Sequence, residues 1–352
     1  MEKELKLVIQ PKVIDHLGIK MYQKPVDVIA EFIANTWDAD SEIAEVTIND
    51  DSIVVTDRGI GMTFQQCQDY FLTVGRDRRK ETGKEMTDEK KRPILGRKGI
   101  GKFSGFGIAK TIEVKTTSKN DGESTSFRMH IQEILEYDAS GKEDKPIKLI
   151  DYKEPSETNK TYHGTIVSLI GIDGRSIDKE KCKEELARRF LLSQSYGDFK
   201  ITVNNEKLPE SFSDEMEFVF PRDLSDEEKE KIPNLQRIDN KGWAVEKFNG
   251  YQILWRIGFY EEPIETEELR GISIFAKDKL AQKPFFFDLA GGINSQFGIE
   301  YMTGQIKMDF IDEGANDLIA TERQRINLQT DLGKKIKEWG IARIKLLCVK
   351  AK

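Results

Sequence analysis

Hydrophobic and polar positions change their period several times along the chain, and each change marks an element. In residues 26–40, VDVIAEFIANTWDAD, the apolar Val26, Ile29, Ile33 and Trp37 recur at helical spacing. Glu31, Asn35 and Asp38 fall at i, i+4 and i+7 on the other side, so this stretch predicts an amphipathic helix with one polar stripe. The runs 52–56 (SIVVT) and 165–170 (TIVSLI) are apolar and β-branched and predict strands. Residues 178–192, DKEKCKEELARRFLL, predict a second amphipathic helix capped by Asp178. A strand at 199–203 and a turn at Asn204 and Asn205 follow it. Further strands are expected at 251–259 (YQILWRIGF), 271–276 (GISIFA) and the alternating 304–311 (GQIKMDFI), with a last helix over 328–347. The N-terminal MEKELKLVIQ reads as an edge strand. Two stretches have no period: 75–93 is almost wholly charged and predicts a solvated loop, and the acidic 209–233 predicts an insertion or surface helix.

The polar stripe of the first helix has chemical content. A glutamate can take a proton from water, and an asparagine carbonyl is a hard oxygen ligand for Mg²⁺. Alone, such a stripe is more often just a solvated face. Two glycine boxes change the picture. Asp57-Arg58-Gly59-Ile60-Gly61-Met62 ends the first strand in a turn where backbone can approach a ligand, and the Asp57 carboxylate suits an exocyclic adenine amine. A capped tight turn is the plainer alternative there. Gly96-Arg97-Lys98-Gly99-Ile100-Gly101-Lys102-Phe103-Ser104 frees backbone N–H groups for phosphate oxygens. A helix starting near Gly101 would add its positive end, and Lys98 and Lys102 further charge. No strand runs directly into this box with a ribose-binding acid about 20 residues on, as a dinucleotide fold needs, and no phosphate-loop G-x-x-x-x-G-K-[ST] is present.

The order E-x-x-x-N-x-x-D, strand–DxGxG, charged stretch, GxxGxG, then the Gly164-Thr165 strand resembles the GHKL ATPase superfamily. That group includes gyrase B, the ninety-kilodalton heat-shock chaperones, MutL, sensor histidine kinases and the MORC ATPases, and the pattern is most similar to MORC-like prokaryotic proteins. The resemblance implies an α+β fold. A two-layer Bergerat-type sandwich, a mixed sheet covered by helices, would occupy 1–173, with an ATP lid at about 75–95. A smaller α/β transducer-like domain would follow over 174–340, and 341–352 would end the C-terminal helix. ATP and Mg²⁺ are the implied cofactors. Glu31 becomes the general base and Asn35 the metal ligand. Asp57, Gly59, Gly61, Met62 and Thr165 bind the adenine end. Gly96, Lys98, Gly99, Ile100, Gly101, Lys102 and Phe103 form the phosphate side, and Asp38 either hydrogen-bonds near the sugar or holds the helix. In the transducer-like part, Asp317 follows Asn316 where the resemblance leads one to expect a lysine for the γ-phosphate. Arg323, Gln324 and Arg325 are the proposed substitutes, ahead of Lys277 and Lys279, and a surface helix flank is the alternative for them.

Composition sets the remaining limits. A chain of 352 residues suggests two domains, and 38% hydrophobic residues with 19 Phe suffice for ordinary cores. A formal charge of −7 argues against a globally basic nucleic-acid binder. Cys67, Cys182 and Cys348 match no metal pattern and suit a reducing cytoplasm, and no apolar run approaches the roughly 20 residues of a membrane span. The expected activity is ATP binding and slow Mg²⁺-dependent hydrolysis, driving lid closure and nucleotide-gated homodimerisation. The expected work is DNA-related clamping, remodelling or defence with DNA or protein partners and no membrane. Chaperone-like action on protein clients and a non-hydrolysing ATP-sensing module are the alternatives. A sensor histidine kinase fits poorly, because His16, His130 and His163 are the available histidines and none sits on a long helical hairpin.

Overall fold

The computed structural model describes residues 5–8, 24–73, 83–96, 101–134, 144–172, 174–210, 216–265, 269–289, 298–313, 318–320 and 325–350. They divide into two compact units, Met1–Pro209 and Glu210–Lys352.

In the first unit, strands β1 (Leu5–Val8), β2 (Ile43–Ile48), β3 (Ser52–Asp57), β4 (Thr111–Thr117), β5 (Ser124–His130), β6 (Asp144–Lys153), β7 (Gly164–Ile170), β8 (Lys200–Val203) and β9 (Glu206–Lys207) form one sheet. Its order is β1-β6-β5-β4-β7-β3-β2-β8-β9. All neighbours are antiparallel except β2 and β8, which makes the sheet mixed. One face carries the apolar alternation Ala44, Val46, Ile48 on β2, Ile53, Val55 on β3 and Ile112, Val114 on β4. That face is covered by helix α1 (Pro25–Asp38), which packs on β2 and β3, and by helix α2 (Lys179–Arg189), which packs on α1. An ion pair of Arg189 with Asp27, 2.5 Å, joins the two helices inside the core. Asp178 caps α2 as its sequence suggests, its carboxylate accepting from Lys181 N.

The joint expected at 173 is not where the chain divides. Residues 174–209 continue the first unit, because β8 adds to the free side of β2 and α2 lies on α1. The turn at Asn204 and Asn205, both with positive φ, folds β9 back on β8. Strands β2, β4, β5 and β6 were not read from the sequence. Threonine, serine or charged residues interrupt their apolar positions, and in β5 Ser124, Thr125 and Ser126 are themselves buried, which blurs the alternation.

In the second unit, β10 (Phe218–Phe220), β11 (Leu235–Ile238), β12 (Ala244–Phe248), β13 (Tyr251–Phe259), β14 (Gly271–Ala276), β15 (Lys279–Phe285) and β16 (Met302–Lys307) make a second mixed sheet. Its order is β11-β12-β13-β16-β14-β15, with β10 on the far end of β13 and β14 parallel to β16. Every residue of β14 is buried, which explains why the strand is apolar apart from Ser273. Helix α3 (Asp331–Lys350) docks on this sheet through Glu246, which is 1% exposed. The carboxylate accepts from Trp255 Nε1 at 3.0 Å, Trp339 Nε1 at 2.7 Å and Arg343 Nε at 3.0 Å, so the buried charge is fully paired. The three cysteines are free and buried. Among the described residues no helix is long and apolar enough to cross a membrane.

Candidate active site

Helix α1 is more enclosed than its sequence suggests. Eleven of its residues are buried, and those that are not are Pro25, Glu31 and Asn35. The polar stripe is therefore no general solvated face. It opens at two side chains, one turn apart on the same side. Glu31 is half-buried and Asn35 is exposed. Asp38, the third member of the stripe, is buried, and its Oδ1 and Oδ2 accept the N–H groups of Leu95 at 2.8 Å and Gly96 at 2.7 Å.

Both described ends of the glycine box therefore lie against α1. At one end a Cβ on Gly96 would stand 2.7 Å from Asp38 Oδ2, and at the other a Cβ on Gly101 would stand 2.5 Å from Glu31 Oε2. Seven residues of helix separate these two anchor points, roughly 10 Å. Lys98, Gly99 and Ile100 lie outside the described residues, as do Arg323 and Gln324. Gly101–Gly107 is a short 3-10 helix rather than the start of an α-helix. Lys102 is buried with its ammonium on the carbonyls of Tyr70 and Thr73, the latter at 2.8 Å. The Phe103 ring lies in the core between Phe71 and Phe106.

The first glycine turn is built against the other end of the same helix. Ile60 N donates to Ala39 O at 2.8 Å, and a Cβ on Gly59 would reach within 2.4 Å of that carbonyl. Gly61 has φ +61°, and a Cβ there would meet Thr117 O at 1.9 Å. Asp57 ends β3 and is 8% exposed; its Oδ1 accepts from Gly59 N at 2.8 Å and Thr165 N at 3.1 Å. Among the described residues no group hydrogen-bonds to its Oδ2. Burial, partly offset by those two N–H groups, pushes this carboxyl up to about 7. His163 Nδ1 donates to Gly59 O at 2.7 Å.

Several residues of the site escaped the sequence reading. Thr116 accepts the Met62 N–H at 3.0 Å and lies 3.0 Å from the Thr165 hydroxyl. Its signal is a threonine on the buried face of β4, in step with Ile112 and Val114. The charged stretch expected as a lid is, over 83–96, held in the fold. Asp40 accepts from Glu89 N at 2.8 Å and Lys90 N at 3.2 Å, and Trp37 Nε1 donates to Pro93 O at 2.9 Å. Arg92 is 2% exposed, with its guanidinium 4.4 Å from the Trp37 ring centroid, donating to Ser41 O at 2.6 Å and Asp198 Oδ2 at 2.7 Å. A buried arginine with these partners is a structural tie, and such a residue is invisible in a run of charges. The rest of the expected lid, 75–82, lies outside the described residues.

A helix that sets a carboxylate against a glycine segment, beside a buried aspartate at a strand end, suits a nucleotide. Residues 22–165 match the family described as "Histidine kinase-, DNA gyrase B-, and HSP90-like ATPase". This part of the chain belongs to the GHKL ATPase superfamily. The chain is also similar to the "Putative type II restriction enzyme HgiDII" of Herpetosiphon aurantiacus, 28% identical over 326 residues. That match covers 90% of this chain and 51% of the relative, so the chain spans about half the relative's length. A shorter match, 31% identical over 85 residues, is to "Chaperone protein HtpG" of Borreliella afzelii (strain PKo), covering 24% of this chain and 14% of the chaperone. The HtpG of Borrelia garinii subsp. bavariensis matches over the same length at the same identity.

Proposed function

We propose that the protein is an ATPase that hydrolyses ATP slowly with Mg²⁺ and uses the nucleotide to switch between assembly states in a DNA-directed system. ATP binding itself follows from the family of residues 22–165. The observation that carries the hydrolytic reading is the enclosure of α1, which opens at Glu31 and Asn35, with Gly101 set against the Glu31 carboxylate.

In this reading the adenine amine donates to Asp57 Oδ2 and the phosphates lie beside α1 near Gly96 and Gly101. Glu31 accepts a proton from the water that attacks the γ-phosphorus; the bond to the β-phosphate oxygen breaks and ADP leaves. Asp38 acts as a positioning residue by holding the amides of Leu95 and Gly96. The donor set fits Mg²⁺. Asn35 offers a hard carbonyl oxygen at an exposed position, and among the described residues no cluster of three His, Cys, Asp or Glu could enclose a metal by itself. An ion held by Asn35, phosphate oxygens and water matches the coordination Mg²⁺ prefers, and when bound it neutralises phosphate charge. The DNA-directed part rests on the relative that matches along most of the chain and is named as a restriction enzyme.

Turnover by Glu31→Ala tests this. ADP affinity should stay within about threefold of wild type while hydrolysis falls by about 10²-fold or more, the usual loss for a general base. Hydrolysis at the wild-type rate in that variant would remove Glu31 from the mechanism.

A further inference from the structure

We propose that Thr116 is a positioning residue that sets the base preference of the nucleotide site, acting through Thr165 and Met62. The inference rests on the adenine reading of Asp57 and Thr165 given above, and it concerns a residue on β4 outside both glycine boxes.

Thr116 is 1% exposed, and its single hydroxyl oxygen has three hydrogen-bonding neighbours. Met62 N donates to Thr116 Oγ1 at 3.0 Å, which fixes one lone pair. The hydroxyl proton then has two acceptors, Thr165 Oγ1 at 3.0 Å and Gly164 O at 3.2 Å. A hydroxyl carries one proton and two lone pairs, so the choice orders the whole chain. With the proton on the nearer acceptor, Thr165 receives a hydrogen bond from Thr116 and is left to donate with its own. With the proton on Gly164 O, Thr165 must donate back to Thr116 and can only accept from anything above it.

Thr165 is half-buried, and its N–H is already committed to Asp57 Oδ1 at 3.1 Å. That bond sets the two residues side by side, and in the adenine reading the Thr165 hydroxyl and Asp57 Oδ2 meet the same base. Adenine presents a donor amine and, next to it, an acceptor ring nitrogen. Hypoxanthine presents the reverse, an acceptor oxygen and a ring N–H. A carboxylate oxygen beside a donating hydroxyl complements adenine and mismatches hypoxanthine. The sequence Met62 N–H, Thr116 O–H, Thr165 O–H points the last proton outward, and each bond polarises the next. Gly61 makes this possible, since its positive φ and its contact with Thr117 O turn the Met62 amide onto β4.

The test is calorimetric titration of ADP and IDP, an adenine and a hypoxanthine diphosphate, into full-length wild type, Thr116→Val and Thr116→Ser. Wild type should favour ADP. Thr116→Val should lose about fivefold of that preference, the weight of one neutral hydrogen bond, because the Thr165 hydroxyl is then free to turn either way. Thr116→Ser keeps the hydroxyl and should keep the preference. In Thr165→Val the Thr116→Val change should cost no further selectivity. An unaltered ADP-to-IDP ratio in Thr116→Val, or a ratio lost equally in Thr116→Ser, overturns the role of Thr116 while leaving the adenine site standing. Wild type that binds neither diphosphate overturns the adenine reading itself. Should Thr116→Val not fold, Thr116→Cys, a near-isosteric weak donor, takes its place with a fall in ratio expected and an unchanged ratio again overturning the proposal.

Discussion

Asp57 shows how a single buried carboxyl ties stability to binding. Its folded value of about 7 lies well above the ordinary 3.8, because burial disfavours the charge more than two N–H groups favour it. Its contribution to stability is thus complete below pH 4 and is lost as pH rises through 7, roughly 4 kcal/mol in all. An amine donating to Oδ2 favours the ionised form, so ADP binding should release protons near neutral pH and tighten toward pH 8. Calorimetry in buffers of different ionisation enthalpy reads this directly, and Asp57→Asn should abolish the proton release. Glycines make a second contrast at this scale. Gly101→Ala meets the movable tip of Glu31 at 2.5 Å, whereas Gly59→Ala meets the backbone oxygen of Ala39 at 2.4 Å. The first should leave the unfolding midpoint nearly unchanged and cut turnover by about a hundredfold, since a small displacement of a reacting group is enough. The second should destabilise the fold by about 1–3 kcal/mol. Equal effects of the two substitutions on stability would contradict this assignment.

The element that organises the first unit is the C-terminal turn of α1. From Trp37 to Ser41, successive groups hold both glycine segments: Trp37, Asp38, Asp40 and the Ser41 carbonyl take 87–96, while the Ala39 carbonyl and the Ser41 hydroxyl take Ile60 N and Arg58 N. The helix and its stripe were legible in the sequence because period and spacing are local properties. The grip on 83–96 was not, since Arg92, Thr87 and Leu95 sit in a stretch whose average character is charged, and Arg92 finds its partners in Asp198 and Phe199, about a hundred residues away. Thr116 was hidden for the same reason, as its partners arrive from the turn after β3 and from β7. Arg92→Met should therefore cost about 2–3 kcal/mol in denaturant unfolding, less than a fully buried pair because Asp198 regains water. A shift below about 0.5 kcal/mol would mean that 83–96 is held by something else.

For the whole molecule, the two-unit organisation and the mixed sheets agree with the α+β reading, while the boundary moved because β8 belongs to a sheet begun by strands far earlier in the chain. The proposed switch makes a prediction at this scale. By light scattering, the mass should double with Mg²⁺ and a non-hydrolysable ATP analogue and stay monomeric with Mg²⁺-ADP. An identical mass in both would remove nucleotide-gated dimerisation from the proposal. The placement of β8 reaches further than the boundary. The family match ends at residue 165, inside β7, so it omits the strand that covers β2. A chain cut there or at 173 would bare the row of amide and carbonyl groups along β2 and strip Arg92 of Phe199 and Asp198. Bare strand edges recruit one another. Such a fragment would precipitate during expression for a reason unconnected with catalysis, and the cut that spares the sheet falls after Pro209.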